Sequence, residues 1–181
     1  MTSTILFDQE AGIATLRFNR PDRRNALGRD ELSGIQRALN ELRPETRVLV
    51  ITSASGATFC AGADLQQIRS GELDGDQFQQ GTNELADLPI PTLCVINGNV
   101  FGGGCELAMS CDFRLASEDI VMRVPASVIG LCYPIEGIER MVNRLGVTLA
   151  KRILVAAEEF SAQPMLEFGI VSRLISEDQL V

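Results

Sequence analysis

The chain has 181 residues, 45% apolar and 22% charged, enough to bury a core without help from a metal or disulfide. Its 24 acidic and 16 basic residues leave a net charge of −8, which argues against nucleic acid or an anionic membrane as the main partner. A small anionic ligand stays open, because a local basic patch can act against the overall sign.

The chain contains no histidine, which removes Ser-His-Asp and Cys-His mechanisms and most transition-metal sites, so no metal is expected. Its five cysteines include no CxxC pair and read as small buried apolar residues. No apolar run approaches the roughly 20 residues of a membrane span. Residues 1–10 also lack the basic head and apolar middle of a signal peptide, so a cytoplasmic protein is expected.

Taken in order, Ile5 to Phe18 predicts a hairpin turning at Ala11-Gly12, with alternation over Ile13–Phe18. The loop Arg20 to Arg29 carries Arg20, Arg23, Arg24 and Arg29, either as a solvated loop or as a phosphate-facing patch. Asp30 to Leu42 follows as an amphipathic helix, with Leu32, Ile35, Leu39 and Leu42 three or four apart. Arg47 to Thr52 is a short buried strand, and the turn after it leads through Ala61, Gly62 and Ala63 into a helix. Gly71 to Leu88 is polar, glutamine-rich and weakly periodic, and is expected to be a helix over a surface.

The stretch Pro91 to Ser117 organises the rest. Thr92 to Ile96 is an apolar strand, Asn97-Gly98 a turn, Gly102-Gly103-Gly104 the entry to a short helix carrying Glu106, and a second strand follows. Ile120 to Val124 continues as a strand, and the loop Val124 to Pro134 leads to helical patterns over Ile138–Leu145 and Leu149–Ala156. Ser161 is placed to cap a further helix ending at Gly169, before a last strand over Ile170–Ile175. Strands and helices alternate with crossovers that suit parallel pairing, so the fold class is α/β, in one domain over residues 1–181.

Two small-residue turns, Ala61–Ala63 and Gly102–Gly104, each precede a helix and each present backbone N–H groups. If the fold brings them together, they form a two-donor oxyanion hole for a carbonyl that becomes an enolate or tetrahedral anion, such as that of a thioester. Glu106 would then be general base or acid; alternatively it only offsets its own helix dipole.

FCAGAD at Phe59–Asp64, Asn97-Gly98 with GGGCELA at Gly102–Ala108, Cys111-Asp112, and Arg20-Pro21 with Asn25-Ala26-Leu27 run in order along nearly the whole chain. Together they resemble the signature of the crotonase (enoyl-CoA hydratase/isomerase) superfamily. The resemblance implies a spiral of ββα repeats and an acyl-CoA thioester substrate, with coenzyme A entering as part of the substrate and no separate cofactor. It implies an oxyanion hole from the N–H groups of Ala63 and Gly103, and catalysis by Glu106. It places Arg24, Asn25, Ala26, Ala61, Asp64 and Leu65 at substrate-binding positions, with Asn25–Leu27 near the adenine. Homotrimers, often paired into hexamers, are the implied assembly.

Two departures qualify the reaction. The second carboxylate of family hydratases follows a proline, where this chain reads Val124-Pro125-Ala126, and Ala126 carries no proton. Glu136 or Glu139 could substitute; otherwise they are solvated carboxylates at a helix start. The chain also stops where the family usually begins its C-terminal helical region. The resemblance therefore implies a hydratase/isomerase-like lyase with Glu106 as sole acid/base, or an acyl-CoA-binding protein with little or no hydratase activity.

Overall fold

The structure, a computed structural model, describes residues 3–55 and 57–176. Gly56, in the second glycine-bearing turn, and residues 177–181 lie outside the described residues. The chain opens with the hairpin of β1 (Ile5–Glu10) and β2 (Ile13–Phe18), paired antiparallel from Ile5–Phe18 to Glu10–Ile13. Ala11 and Gly12 both take positive φ at its turn, which is why a glycine stands there. Helix α1 (Arg29–Asn40) buries Leu32, Ile35 and Ala38, the inner side of its apolar stripe.

From here the chain repeats one manoeuvre. Strand β3 (Val48–Ser53) joins a larger sheet, β4 (Thr58–Cys60) a smaller one, and α2 (Leu65–Ser70) and α3 (Gly75–Ala86) follow. Then β5 (Thr92–Ile96) returns to the larger sheet, β6 (Asn99–Phe101) to the smaller, and α4 (Gly103–Ser110) follows. Next β7 (Phe113–Ser117) and β8 (Val121–Arg123) divide in the same way before α5 (Ile135–Leu154). Finally β9 (Glu159–Ser161), α6 (Ala162–Glu167) and β10 (Arg173–Ile175) close the chain.

The sheets therefore run β1-β2-β3-β5-β7-β10 and β4-β6-β8-β9. Every pairing but β1–β2 and β8–β9 is parallel, as expected where helices carry the crossovers. This is the α/β spiral that the motifs implied.

Two differences from the sequence reading have simple causes. Strands β4, β6 and β9 are three residues each, too short to show a period of two against a turn-rich background. The two helical patterns after Pro134 are present as read, two helices that together make α5, parted by a kink where Gly146 takes φ 79° and ψ 160°. Ser161 does precede α6, but its side chain makes no capping hydrogen bond. Among the described residues no helix is long and apolar enough to cross a membrane.

Candidate active site

In the smaller sheet β4 and β6 are parallel neighbours, so the segments leaving them, Ala61–Ala63 and Gly102–Gly104, lie side by side. They touch backbone to backbone. A Cβ on Gly62 (φ +89°) would sit 2.7 Å from the Gly103 nitrogen, and one on Gly104 would sit 2.7 Å from the Cys60 carbonyl oxygen. Only glycine permits that approach.

The first segment is pinned on one side by the loop after β2. The Ala61 N–H donates to the Arg24 carbonyl at 3.0 Å, Leu27 N–H to the Gly62 carbonyl at 2.8 Å, and Asp64 N–H to the Leu27 carbonyl at 2.9 Å. Ala63 lies between these bonds. Among the described residues its N–H finds no acceptor, and neither does the N–H of Gly103 at the start of α4. Asp64 caps α2 by accepting from the N–H groups of Gln66 and Gln67 at 3.1 and 3.4 Å.

A cavity of about 260 Å³ opens at these two segments. Ala61, Ala63, Leu65, Gly103 and Glu106 all line it, together with Phe78, Ala126, Leu131 and Tyr133. The Phe78 ring lies over Gly103, where a Cβ would come within 2.5 Å of it. Apart from Glu106, the titratable groups on its walls are Asp74, Cys132 and Tyr133, so the chamber is chiefly apolar.

Glu106, in the first turn of α4, is 1% exposed. Its Oε1 accepts from Thr82 Oγ1 at 3.3 Å and from Arg140 Nη1 at 3.0 Å, while the Arg140 guanidinium is braced by a bond from Nη2 to Asn83 Oδ1. Burial raises the Glu106 pKa above the usual carboxylate value. The Arg140 charge opposes that rise, as do hydrogen bonds from Gln79, Thr82 and Tyr133. Thr82 and Arg140 thus both hold the carboxylate through Oε1. Gly137 makes the room: a Cβ there would lie 3.0 Å from Cδ and both carboxylate oxygens.

The remaining candidate residues fall elsewhere. Asn25 is 1% exposed with φ +54°, and its amide is fully engaged. Oδ1 accepts from Arg20 N–H at 2.8 Å, and Nδ2 donates to the carbonyls of Thr58 at 2.7 Å and Phe59 at 3.2 Å. Asp64 pairs with Arg20 at 3.3 Å, and Arg20 also meets Glu31 at 3.0 Å, so this arginine of the basic loop is held inside the protein. Arg24 is exposed in the left-handed region, Ala26 is half-buried, and Arg24, Asn25, Ala26 and Asp64 all lie off the cavity wall. Glu136 and Glu139 are exposed and do not line it either. Among the described residues no group of three or more Cys, Asp or Glu is placed to hold a metal ion.

Arg140, Gly137 and Tyr133 escaped the sequence reading. Part of their signal was present in YPIEGIERM: Gly137, Arg140 and Met141 recur at helical spacing, on a different face from the exposed Glu136 and Glu139. An arginine on the inward face of an amphipathic helix calls for a buried anion.

Comparison with known proteins gives the family. Residues 8–181 match the model of the enoyl-CoA hydratase/isomerase family, and the chain belongs to that family. It is 34% identical over 175 residues to the mouse protein named enoyl-CoA hydratase domain-containing protein 2, mitochondrial, covering 93% of this chain and 59% of that one. It is 29% identical to a short-chain-enoyl-CoA hydratase of Clostridium acetobutylicum, over 99% of this chain and 71% of the relative. The chain thus spans little more than half of the mouse protein's length. Among solved structures, it superposes on an enoyl-CoA hydratase from Bacillus anthracis with a TM-score of 0.89 at 28% identity, covering 98% of this chain and 72% of the other. Pseudomonas aeruginosa DspI gives 0.90 at 27%, covering 98% and 75%.

Proposed function

We propose that the chain acts on acyl-CoA thioesters in reactions of the enoyl-CoA hydratase/isomerase type, as a single domain of that fold. The N–H groups of Ala63 and Gly103 hold the thioester oxygen as it gains charge, and Glu106 is the acid/base. The observation that carries this reading is the convergence on one apolar cavity of two N–H groups without acceptors and one buried carboxylate. A donor aimed at a developing oxyanion is worth about 2.7–4 kcal/mol of barrier. Arg140 keeps Glu106 able to ionise at depth, which suits a base that withdraws a proton beside the thioester carbonyl. Coenzyme A enters only as part of the substrate. Its phosphates are met by basic residues of the 20–29 loop, where Arg23, Arg24 and Arg29 remain exposed.

Ala126 supports a second reading, in which the chain binds acyl-CoA with little hydration, because this cavity-lining position after Pro125 carries no carboxylate. The two part in one experiment. Incubation with a panel of acyl- and enoyl-CoA thioesters, followed by mass spectrometry, detects turnover in the enzyme reading and loses it in Glu106→Gln. Binding without turnover across the panel favours the second reading, and no binding sinks both.

Exposed apolar side chains at Val128, Ile129, Leu131 and Ile135 support assembly as a homotrimer or a pair of trimers, which sedimentation measures directly. The five unpaired cysteines suit a reducing cytoplasm.

A further inference from the structure

The mechanism proposed above uses the N–H of Gly103 but leaves open what holds that N–H in place. Gly103 N and the Gly102 carbonyl belong to one peptide unit, and on both sides of it the residue is glycine. Such a unit turns over easily, because neither neighbour has a Cβ to resist rotation. Gly102 itself stands at φ 51° and ψ −124°, a conformation open to glycine and closed to most other residues.

Two donors grip the carbonyl end. One is the Cys105 N–H of the first helical turn, at 3.0 Å. The other is the hydroxyl of Tyr133, at 3.1 Å, reaching over from the loop before α5. In a trans peptide the C=O and N–H point in opposite directions. A donor on the carbonyl oxygen therefore aims the N–H away from Tyr133 and, by polarising the amide, makes that N–H a stronger donor.

We propose that Tyr133 is a positioning residue of the oxyanion hole, locking and polarising the Gly102–Gly103 peptide so that its N–H stays directed at the thioester oxygen. The inference rests on the reading of Gly103 as an oxyanion donor and adds the residue that keeps it one. Two further observations agree. Tyr133 lines the same cavity as Gly102, Gly103 and Glu106, so its hydroxyl shares their chiefly apolar surroundings. Burial, and then the nearby Glu106 charge, push its pKa well above the usual value for a phenol, so the hydroxyl stays a donor across the working pH range. The competing acceptor is Glu106, which lines the same cavity and whose charge acts on this hydroxyl.

Tyr133 is the sole tyrosine of the chain, so biosynthetic replacement of tyrosine by 3,5-difluorotyrosine alters this residue alone. The probe is butyryl-CoA labelled with ¹³C at the thioester carbonyl, a saturated ligand that cannot be hydrated. Its carbonyl stretch is read by infrared difference spectroscopy in the full chain. The wild type should lower that frequency relative to free ligand. Tyr133→Phe should lower it less, and the fluorinated protein, whose phenol is the stronger donor, should lower it more, with butyryl-CoA affinity nearly constant across the series.

For crotonyl-CoA turnover, kcat in Tyr133→Phe should fall about tenfold at unchanged KM, less than the roughly 10²–10³ lost when an oxyanion donor is deleted outright. A wild-type downshift kept unchanged in both altered proteins would overturn the role of Tyr133. So would a Tyr133→Phe effect confined to the acid limb of the pH–rate profile, which would assign the hydroxyl to Glu106 instead. If Tyr133→Phe fails to fold, the fluorinated protein alone decides. No downshift in the wild type would sink the oxyanion-hole reading itself, and the role of Tyr133 with it.

Discussion

Gly137 and Glu106 meet across the α4–α5 interface so closely that a methyl group on Gly137 would lie 3.0 Å from the carboxyl carbon and from each oxygen. Glycine at this position of α5 costs about 1 kcal/mol of helix stability relative to alanine. Gly137→Ala should therefore help the helix in isolation and harm the site. The carboxylate has to move by a few tenths of an ångström or leave Arg140. Turnover should fall by about tenfold, less than the 10²-fold that a displacement of about 1 Å can cost. Circular dichroism should report an intact fold. Wild-type turnover in Gly137→Ala would show that the position of Glu106 does not matter to the reaction.

The pH profile follows from the environment of Glu106. Acting as a base it must be ionised, and burial raises its pKa, so activity should climb with pH through a limb above the ordinary glutamate value of about 4.3. Arg140 stabilises the ionised form. Arg140→Met removes that charge, so the pKa rises further and the limb should move upward. Arg140→Lys keeps a charge near the carboxylate and should leave the limb near its wild-type place. An unmoved limb in Arg140→Met would detach Arg140 from the titration of Glu106.

Much of this was readable before any coordinates, and the line of legibility follows distance along the chain. Ala63, Gly103 and Glu106 sit in short local patterns, a small-residue turn opening a helix, which reveal themselves residue by residue. Arg140 reaches Glu106 across 34 residues, and that partnership depends on how α4 packs against α5. The same limit hid β4, β6 and β9, whose identity comes from their neighbours in the smaller sheet rather than from their own composition. Asn25 shows the opposite case. Its motif was recognisable, but only the fold reveals that its amide is committed to the carbonyls of Thr58 and Phe59.

Asn25 should accordingly govern stability. Asn25→Ala empties a buried position and leaves the Arg20 N–H and the Thr58 and Phe59 carbonyls without that partner. It also places alanine at φ +54°. A loss of about 2–3 kcal/mol is expected, within the cost of leaving buried polar groups unsatisfied. Urea denaturation measures it, and a loss under about 0.5 kcal/mol would assign Asn25 to ligand contact rather than to the scaffold.

Ala126 offers the complementary gain. It lines the cavity with Glu106 and is 9% exposed. Ala126→Glu places a carboxylate at that position of the wall. Hydration of crotonyl-CoA, followed as the loss of enoyl-thioester absorbance, should rise by about 10²-fold, the lower end of what a general acid/base contributes. An unchanged rate in a folded, ligand-binding variant would mean that the rest of the site is not arranged for hydration.

The pairing of β4 with β6 carries one last consequence. The two N–H groups proposed to hold the thioester oxygen stand just beyond the ends of these adjacent parallel strands, so the backbone ladder sets how near they lie to one another. That gauge is written in backbone rather than in side chains. The walls of the chamber, from Leu65 and Phe78 to Ala126 and Leu131, can be exchanged without altering it. One fixed anchor for a carbonyl can thus face a freely redrawn interior, so a new acyl group or a new fate for the enolate calls for repainting the room and leaves the hook in the wall untouched.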